Sequence, residues 1–347
     1  MKACVLYGIG DLKFEEVPTP AVHKGEVLVK IRASGVCGSD IPRVFSKGTY
    51  HFPTIPGHEF AGQIIEVGKG VDKGLIGKKA AVFPMLPCMK CEACQIGEYA
   101  QCSDYNYLGS RCDGGFAEYI SVPVWNLIII PDSLSYEEAA MAEPAAVAIH
   151  ALRQASIQIS DNVAIFGAGP IGLMLGQWAL AWGADRVILV DIDEEKISFA
   201  KKMGFSYTWN NTNGKAAEWI KEITEGRGAD VAVEGAGVSH TLEQCFKCVR
   251  PFGSVVAMGN PLGEMVLSQK VYWELLRKQL KILGTWNSSF VSLPKNDWKL
   301  AIRAMENQKI NVKSFITHKF NLDSCREALE MMRDKKSFFN KVMFIID

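Results

Sequence analysis

The segment 162–191, NVAIFGAGPIGLMLGQWALAWGADRVILVD, constrains the fold more than any other part of the chain. Its short apolar run at 163–166 is bounded by glycine, which suits a strand buried on both faces of a parallel sheet. GAGPIG follows at once. Gly167 permits a tight turn, Gly169 lets the backbone come close to a pyrophosphate, and Gly172 removes a side chain where the next helix packs on the strand. Pro170 and Ile171 open that helix, and proline loses little in a first turn whose N–H groups have no intrahelical partner. Apolar residues dominate 171–181 and Gly183 ends the helix. A second strand, 187–190, finishes in Asp191, about twenty residues beyond the last glycine, where a carboxylate accepts hydrogen bonds from the ribose hydroxyls of NAD and repels the 2′-phosphate of NADP. Neither Ile192 nor Asp193 supplies the cation NADP would want. GxGxxG alone would fit a plain loop as well. The strand, helix and acid around it make a dinucleotide site the reading.

Beyond this unit the strand and helix alternation continues. Strands are predicted at 207–209, 231–234, 254–258 and 282–285 with helices between them. Six strands joined by crossovers describe a doubly wound parallel sheet. Lys196, Glu234 in VEGAG and Met258 in MGN complete the candidate cofactor residues, the last two at the carboxyl ends of the fourth and fifth strands. The first third reads differently, as short strands at 3–7, 26–34, 62–67, 79–82 and 116–122 punctuated by glycine and proline. After Trp286 the pattern is mixed: a helix near 298–306, a strand near 316–320, a helix at 324–333 and a strand at 342–346. That tail either returns to the N-terminal domain or forms a third unit.

The 347 residues suffice for two ordinary domains. Lysine plus arginine and aspartate plus glutamate number 38 each, so net charge offers no reason to expect nucleic acid or an anionic membrane as partner. No run of about eighteen apolar residues occurs, and MKACVLYGIGD is a poor secretory signal. A cytoplasmic protein is expected.

Cysteine usage is the unusual feature. Cys88, Cys91, Cys94 and Cys102 fall in CMKCEACQIGEYAQC, a spacing that folds four thiolates round one zinc ion. Four thiolates leave no open coordination position, so this zinc is structural. A catalytic zinc needs three protein ligands and a vacancy. Cys37 in GVCGSD, His58 and Glu59 in PGHEF and Glu143 in AEPAA are candidates, although singly each also fits a core or structural role. Cys245 and Cys248 read as core residues. Cys4, Cys112 and Cys325 show no partner pattern, and His51, His150, His240 and His318 read as structural.

GVCGSD, PGHEFAG, the four-cysteine lobe, DGGFAEY, the AEP segment and GAGPIG occur in this order, and through them the chain resembles the zinc-dependent medium-chain dehydrogenase/reductase family over essentially its whole length. GSDIPRVFSKG, YNYLGSRCDGGFAEY and GTWNSS make it most similar to the polyol dehydrogenase branch. The resemblance implies an α/β protein: a GroES-like β-rich catalytic domain at 1–147 with a C-terminal return at 287–347, and an inserted Rossmann domain at 148–286. It implies Cys37, His58 and Glu143 as ligands of a catalytic zinc, with Glu59 a mobile neighbour able to coordinate the metal or bond its water. Asp40 would orient the His58 ring and Ser39 would sit beside the substrate hydroxyl. The implied reaction is NAD-linked oxidation of a secondary alcohol of a polyol or polyol phosphate, with two zinc ions per chain. Arg43 and Arg111 lie in segments the family places near the cleft, as phosphate contacts or as solvated surface arginines. A homodimer or homotetramer paired near 282–286 is also implied, with Trp286 and Asn287 lining the pocket or the subunit contact. Rival readings are a sorbitol, butanediol or threonine dehydrogenase, or a catalytically silent NAD-binding zinc protein.

Overall fold

The computed structural model describes residues 1–261, 263–291 and 295–347. The chain divides into two compact units, one formed by Met1–Ala146 together with Ser289–Asp347, the other by Val147–Ser288.

In the second unit six parallel strands lie in the spatial order Tyr207–Asn210, Arg186–Asp191, Asn162–Phe166, Ala229–Glu234, Val249–Ala257, Lys281–Gly284. In chain order this is 3-2-1-4-5-6, the doubly wound arrangement, which places the switch point beside the first strand and the glycine loop that follows it. Asn162–Phe166 and Ala229–Glu234 are buried at every residue because helices cover both faces. The fifth strand begins at Val249, five residues before the predicted start. Val249 pairs with Ala229 across a register shift, and Pro251 and Phe252 are exposed, so its first part carries no apolar pattern. Cys245 and Cys248 are buried in the core under helix Ser239–Cys248, in agreement with the reading of them as core residues.

The first unit holds a seven-stranded sheet. Its main path runs Ile316–Asn321, Lys341–Ile345, Glu26–Val36, Glu59–Val67, Lys79–Val82, Leu127–Ile129, and Tyr119–Pro123 pairs with Glu26–Val36. The C-terminal strand Lys341–Ile345 lies antiparallel to Glu26–Val36, with Val342 opposite Val36 and Met343 opposite Gly35. The predicted strand at 116–122 begins later, at Tyr119. Phe116 and Ala117 are buried, but Ala117 meets Ala3 only in an isolated bridge and Phe116 packs edge-on against Phe344. A strand not predicted, Asp11–Glu16, closes a hairpin with Lys2–Gly8. Cys4, on that hairpin, forms a disulfide with Cys325 at the start of helix Cys325–Asp334. Both cysteines read as unpartnered in the sequence, because 321 positions separate them. No helix among the described residues is long and apolar enough to cross a membrane.

Candidate active site and dinucleotide loop

The end of one strand and the start of its neighbour build the metal candidate. Cys37 follows Glu26–Val36 directly and His58 directly precedes Glu59–Val67, so antiparallel pairing brings both to the same sheet end. Glu59 stands opposite Gly35 in that ladder. A Cβ on Gly35 would overlap Glu59 Oε2 and press on the Lys341 side chain, so only glycine leaves these two room to cross the strand. The ligand atoms of Cys37, His58 and Glu59 all lie within 4.8 Å of one another.

Asp40 anchors the group. Fully buried, it accepts hydrogen bonds from Cys37 N–H at 2.9 Å and from Arg43 Nη1 at 3.0 Å, and its Oδ1 lies 3.4 Å from His58 Nδ1. Burial works to raise the Asp40 carboxyl, but His58, Arg43 and the Cys37 N–H bring it down to about 2. Burial likewise works to lower the His58 imidazole, and Asp40 and Cys37 outweigh it, raising it well above its ordinary value. With Nδ1 directed at a carboxylate, the ring presents Nε2 as the metal-binding nitrogen, the arrangement that fixes a ligating histidine's tautomer.

Two partners not foreseen from the sequence hold the carboxylates. Lys341, the first residue of the C-terminal strand, is 3% exposed and forms an ion pair with Glu59 Oε2. Burial pulls its ammonium down, while Glu59 and Cys37 raise it overall, so the charged form is favoured. Tyr107 donates its hydroxyl to Glu143 Oε1 at 3.3 Å, and its ring lies 5.8 Å from that of His58. Burial, then the Glu143 charge, pushes the Tyr107 phenol well up, so it stays a donor. Glu143 sits in the first turn of helix Ala142–Ala155, a favourable place for a negative charge. Burial lifts its carboxyl to about 7, with Glu59 adding to the effect and His58 and Lys341 opposing it. Glu143 thus belongs to the same electrostatic cluster but stands outside the group within 4.8 Å, where Glu59 is found instead. The only sequence signal for Lys341 is a charged residue opening an apolar strand, KVMFI; Tyr107 in YNY offers none.

The other expected residues are placed as follows. Ser39 is partly buried, at the N-cap of a short helix, with no capping bond from its hydroxyl. Arg43, read as a phosphate contact or a solvated surface arginine, donates from Nη1 to Asp40, and the same nitrogen lies 3.3 Å from His58 Nδ1. The Arg111 guanidinium carbon lies over the rings of Tyr50 and Tyr105, at 4.1 and 4.4 Å from their centroids.

In the four-cysteine lobe Cys88 Sγ and Cys94 Sγ are 4.0 Å apart, and Cys91 Sγ and Cys102 Sγ 3.8 Å apart. Four sulfurs at about 2.3 Å from a common centre in a tetrahedron stand about 3.8 Å from one another, so the set fits zinc. Backbone N–H groups of Cys91 and Cys88 point at Cys88 Sγ and Cys102 Sγ at 3.3 Å, which favours thiolates. N–H groups of Cys94 and Ser103 hold Cys91 down to about 6, whereas burial pushes Cys94 up to about 12. Four crowded sulfurs in such unequal settings become thiolates together only when a cation offsets their charge.

In the dinucleotide loop Gly167 adopts φ +117°, and a Cβ on Gly169 would meet nothing within 4 Å, which leaves open space over the N-terminus of helix Pro170–Ala181. That opening fits a pyrophosphate. Ile171 follows Pro170 in the helix's first turn. Asp191 ends its strand with Oδ2 accepting from Ala168 N–H at 2.8 Å and Oδ1 from Ile192 N–H at 2.8 Å. Lys196 Nζ lies 3.8 Å from Asp191 and 4.0 Å from Asp193. Glu234, expected at the cofactor, turns Oε1 into its own loop, accepting from Ala236 N–H, Gly237 N–H and Thr241 Oγ1 at 2.9, 2.8 and 2.6 Å. It shapes the turn at the strand end. Met258 follows the next strand, its N–H donated to the Glu234 carbonyl at 3.0 Å.

The chain matches the alcohol dehydrogenase GroES-like domain family over residues 23–132 and the zinc-binding dehydrogenase family over residues 170–307. It is 36% identical over 330 residues to galactitol 1-phosphate 5-dehydrogenase of Escherichia coli K12, covering 95% of each chain. The crystal structure of the E. coli galactitol-1-phosphate dehydrogenase superposes with a TM-score of 0.93, covering 99% of this chain and 100% of that one. Sorbitol dehydrogenase of Bacillus subtilis 168 is 35% identical over 349 residues, 99% of this chain and 96% of that one. A Sinorhizobium meliloti 1021 protein bound to NADP superposes with a TM-score of 0.90 at 30% identity, covering 99% and 98%.

Proposed function

Because the chain belongs to the zinc-dependent medium-chain dehydrogenase family, as a dehydrogenase of polyol type with a nicotinamide cofactor, we propose that it oxidises a secondary alcohol of a hexitol phosphate of the galactitol 1-phosphate kind to the ketose phosphate, with NAD as acceptor. The clustering of Cys37, His58 and Glu59 round an Asp40-anchored imidazole carries the enzymatic part of this reading. Near-equal identity to a sorbitol dehydrogenase favours free sorbitol as the second reading.

Overall, alcohol and NAD⁺ give ketone, NADH and one proton. When bound, zinc supplies Lewis acidity toward the carbinol oxygen and NAD accepts the hydride. The protein's part is placement. Cys37 and His58 hold the metal, and Asp40 keeps the His58 ring in one tautomer. Glu143, braced by Tyr107, and Glu59, braced by Lys341, are the two carboxylates able to complete the set. Ser39, whose hydroxyl makes no cap bond, is free to take the alcohol proton toward solvent. The preference for NAD rests on Asp191: with Asp193 beside it and, among the described residues, Lys196 alone pairing with the two carboxylates, the local charge stays negative where NADP carries its extra phosphate.

The test is NADH formation from galactitol, sorbitol, galactitol 1-phosphate and sorbitol 6-phosphate, before and after dialysis against a chelator. Galactitol 1-phosphate should exceed the others by at least about tenfold in kcat/KM, equivalent to about 1.4 kcal/mol, and zinc should restore dialysed enzyme. A preference for free sorbitol would move the protein to the second reading.

A homodimer through the sheet edge belongs to the same proposal. Among the described residues Lys281–Gly284 is an edge strand with no further strand on its outer side, and Tyr272, Trp273, Leu276, Ile282 and Trp286 around it are exposed. Edges of this kind are ordinarily blunted by charge or covered. Ile282→Lys should convert the dimer to monomer in light scattering. A wild type already monomeric at micromolar concentration would remove the proposal.

A further inference from the structure

Two arginines near the metal candidate could meet a phosphate, and their settings differ. Arg43 is used internally: its Nη1 supports Asp40, and losing that contact would disturb the His58 anchor. Arg111 has a different setting. Its guanidinium carbon lies 4.1 Å from the Tyr50 ring centroid and 4.4 Å from that of Tyr105, and Nη1 makes one long bond, 3.4 Å, to the Tyr105 carbonyl. Among the described residues no carboxylate pairs with it; Asp113, two positions on, accepts instead from Ile55 N–H at 2.9 Å.

Contact with two aromatic rings favours one rotamer of the guanidinium, which keeps its forked donors beyond the one long bond. Such a cation suits an anion with two oxygens to offer, and part of the ordering cost is met in the free protein. The loop's backbone fixes where this edge lies. Arg111 N–H donates to the Tyr107 carbonyl at 2.9 Å, and the Tyr107 hydroxyl reaches Glu143. One short turn therefore carries both a residue of the metal cluster and the stacked cation. Tyr50 N–H donates to the Ser110 carbonyl at 3.3 Å, and His51 Nε2 lies 3.0 Å from the Arg111 carbonyl, which ties the second stacking ring to the same turn.

We propose that Arg111, packed against the rings of Tyr50 and Tyr105, is the group that recognises the phosphate of a phosphorylated polyol substrate. This rests on the polyol-phosphate reading above and assigns its specificity to one side chain.

The experiment compares galactitol with galactitol 1-phosphate in wild type, Arg111→Ala, Arg111→Lys and Tyr105→Ala, and titrates the zinc-loaded enzyme with inorganic phosphate. Arg111→Ala should lose about a hundredfold in kcat/KM on the phosphate, chiefly through KM, and far less on the free polyol. Arg111→Lys keeps the charge without the fork and should fall between, as should Tyr105→Ala, which loosens the stack. Inorganic phosphate should inhibit wild type competitively and bind Arg111→Ala at least about tenfold more weakly. Full zinc content and unchanged NAD affinity in the variants exclude a folding defect. Equal losses on both substrates, or phosphate binding that survives Arg111→Ala, would overturn the assignment while the wild-type substrate preference still stood. A wild type indifferent to phosphorylation would overturn both.

Discussion

A Cys37→Ser protein should bind NAD as the wild type does, carry one zinc per chain fewer than the wild type, and lose about four orders of magnitude in kcat/KM, about 5.4 kcal/mol of transition-state stabilisation. The argument runs through what serine keeps and what it discards. The backbone N–H at position 37 still bonds Asp40, so the turn that follows the strand survives, and with it the Asp40 contact to His58. What disappears is an anionic, polarisable sulfur; a serine hydroxyl stays protonated near neutral pH and binds zinc poorly. Lys341 and Arg43 then face the site with one negative charge fewer, which further disfavours a dication. Metal analysis, NADH fluorescence titration and turnover measured on one preparation separate these effects. A serine variant with wild-type turnover and two zinc ions would remove Cys37 from the metal site. The same three measurements on Glu59→Gln and Glu143→Gln decide which carboxylate is the third ligand. Retained zinc in one and lost zinc in the other names it.

What could be read in the sequence is what is chemically local. Strand 162–166, its glycine turn and the following helix carry their signals within thirty residues, and the apolar run marks the strand to within one residue of the observed Asn162–Phe166. The four cysteines are legible for the same reason: a fifteen-residue span must itself supply the tetrahedron. Features made by distant partners are not legible. Lys341 in a buried strand looks like a misplaced charge until Glu59, 282 positions away, neutralises it. Cys4 and Cys325 have no shared spacing, and Tyr107 gains its role only from a helix that begins 35 residues later. Arg43 gains an internal partner that its sequence neighbourhood does not announce, because Asp40 beside it is buried. The hairpin strand Asp11–Glu16, DLKFEE, was missed because only one of its six residues is buried, so it lacks a hydrophobic alternation strong enough to mark a strand.

The glycine loop offers the second large effect, and two of its positions should fail in different ways. A Cβ on Gly172 would overlap the Gly167 carbonyl oxygen. That oxygen cannot easily retreat, because Gly167 N–H is bonded to the Val190 carbonyl at 2.7 Å and the adjoining strand is buried throughout. Gly172→Ala should therefore displace the loop at a cost of about 1–3 kcal/mol in stability and weaken NAD by at least about a hundredfold, with both zinc ions retained. Gly169 has φ −76° and open space where its Cβ would stand, so alanine there fits the fold. The open space is where a pyrophosphate would come against the helix N-terminus. Gly169→Ala should leave the melting temperature near wild type and still lose most of the NAD affinity. The contrast distinguishes a loop that is merely close-packed from one shaped to receive a ligand. If both variants lose stability and affinity in proportion, the loop's role is packing. If Gly169→Ala binds NAD as tightly as wild type in isothermal titration, the dinucleotide does not lie on this turn.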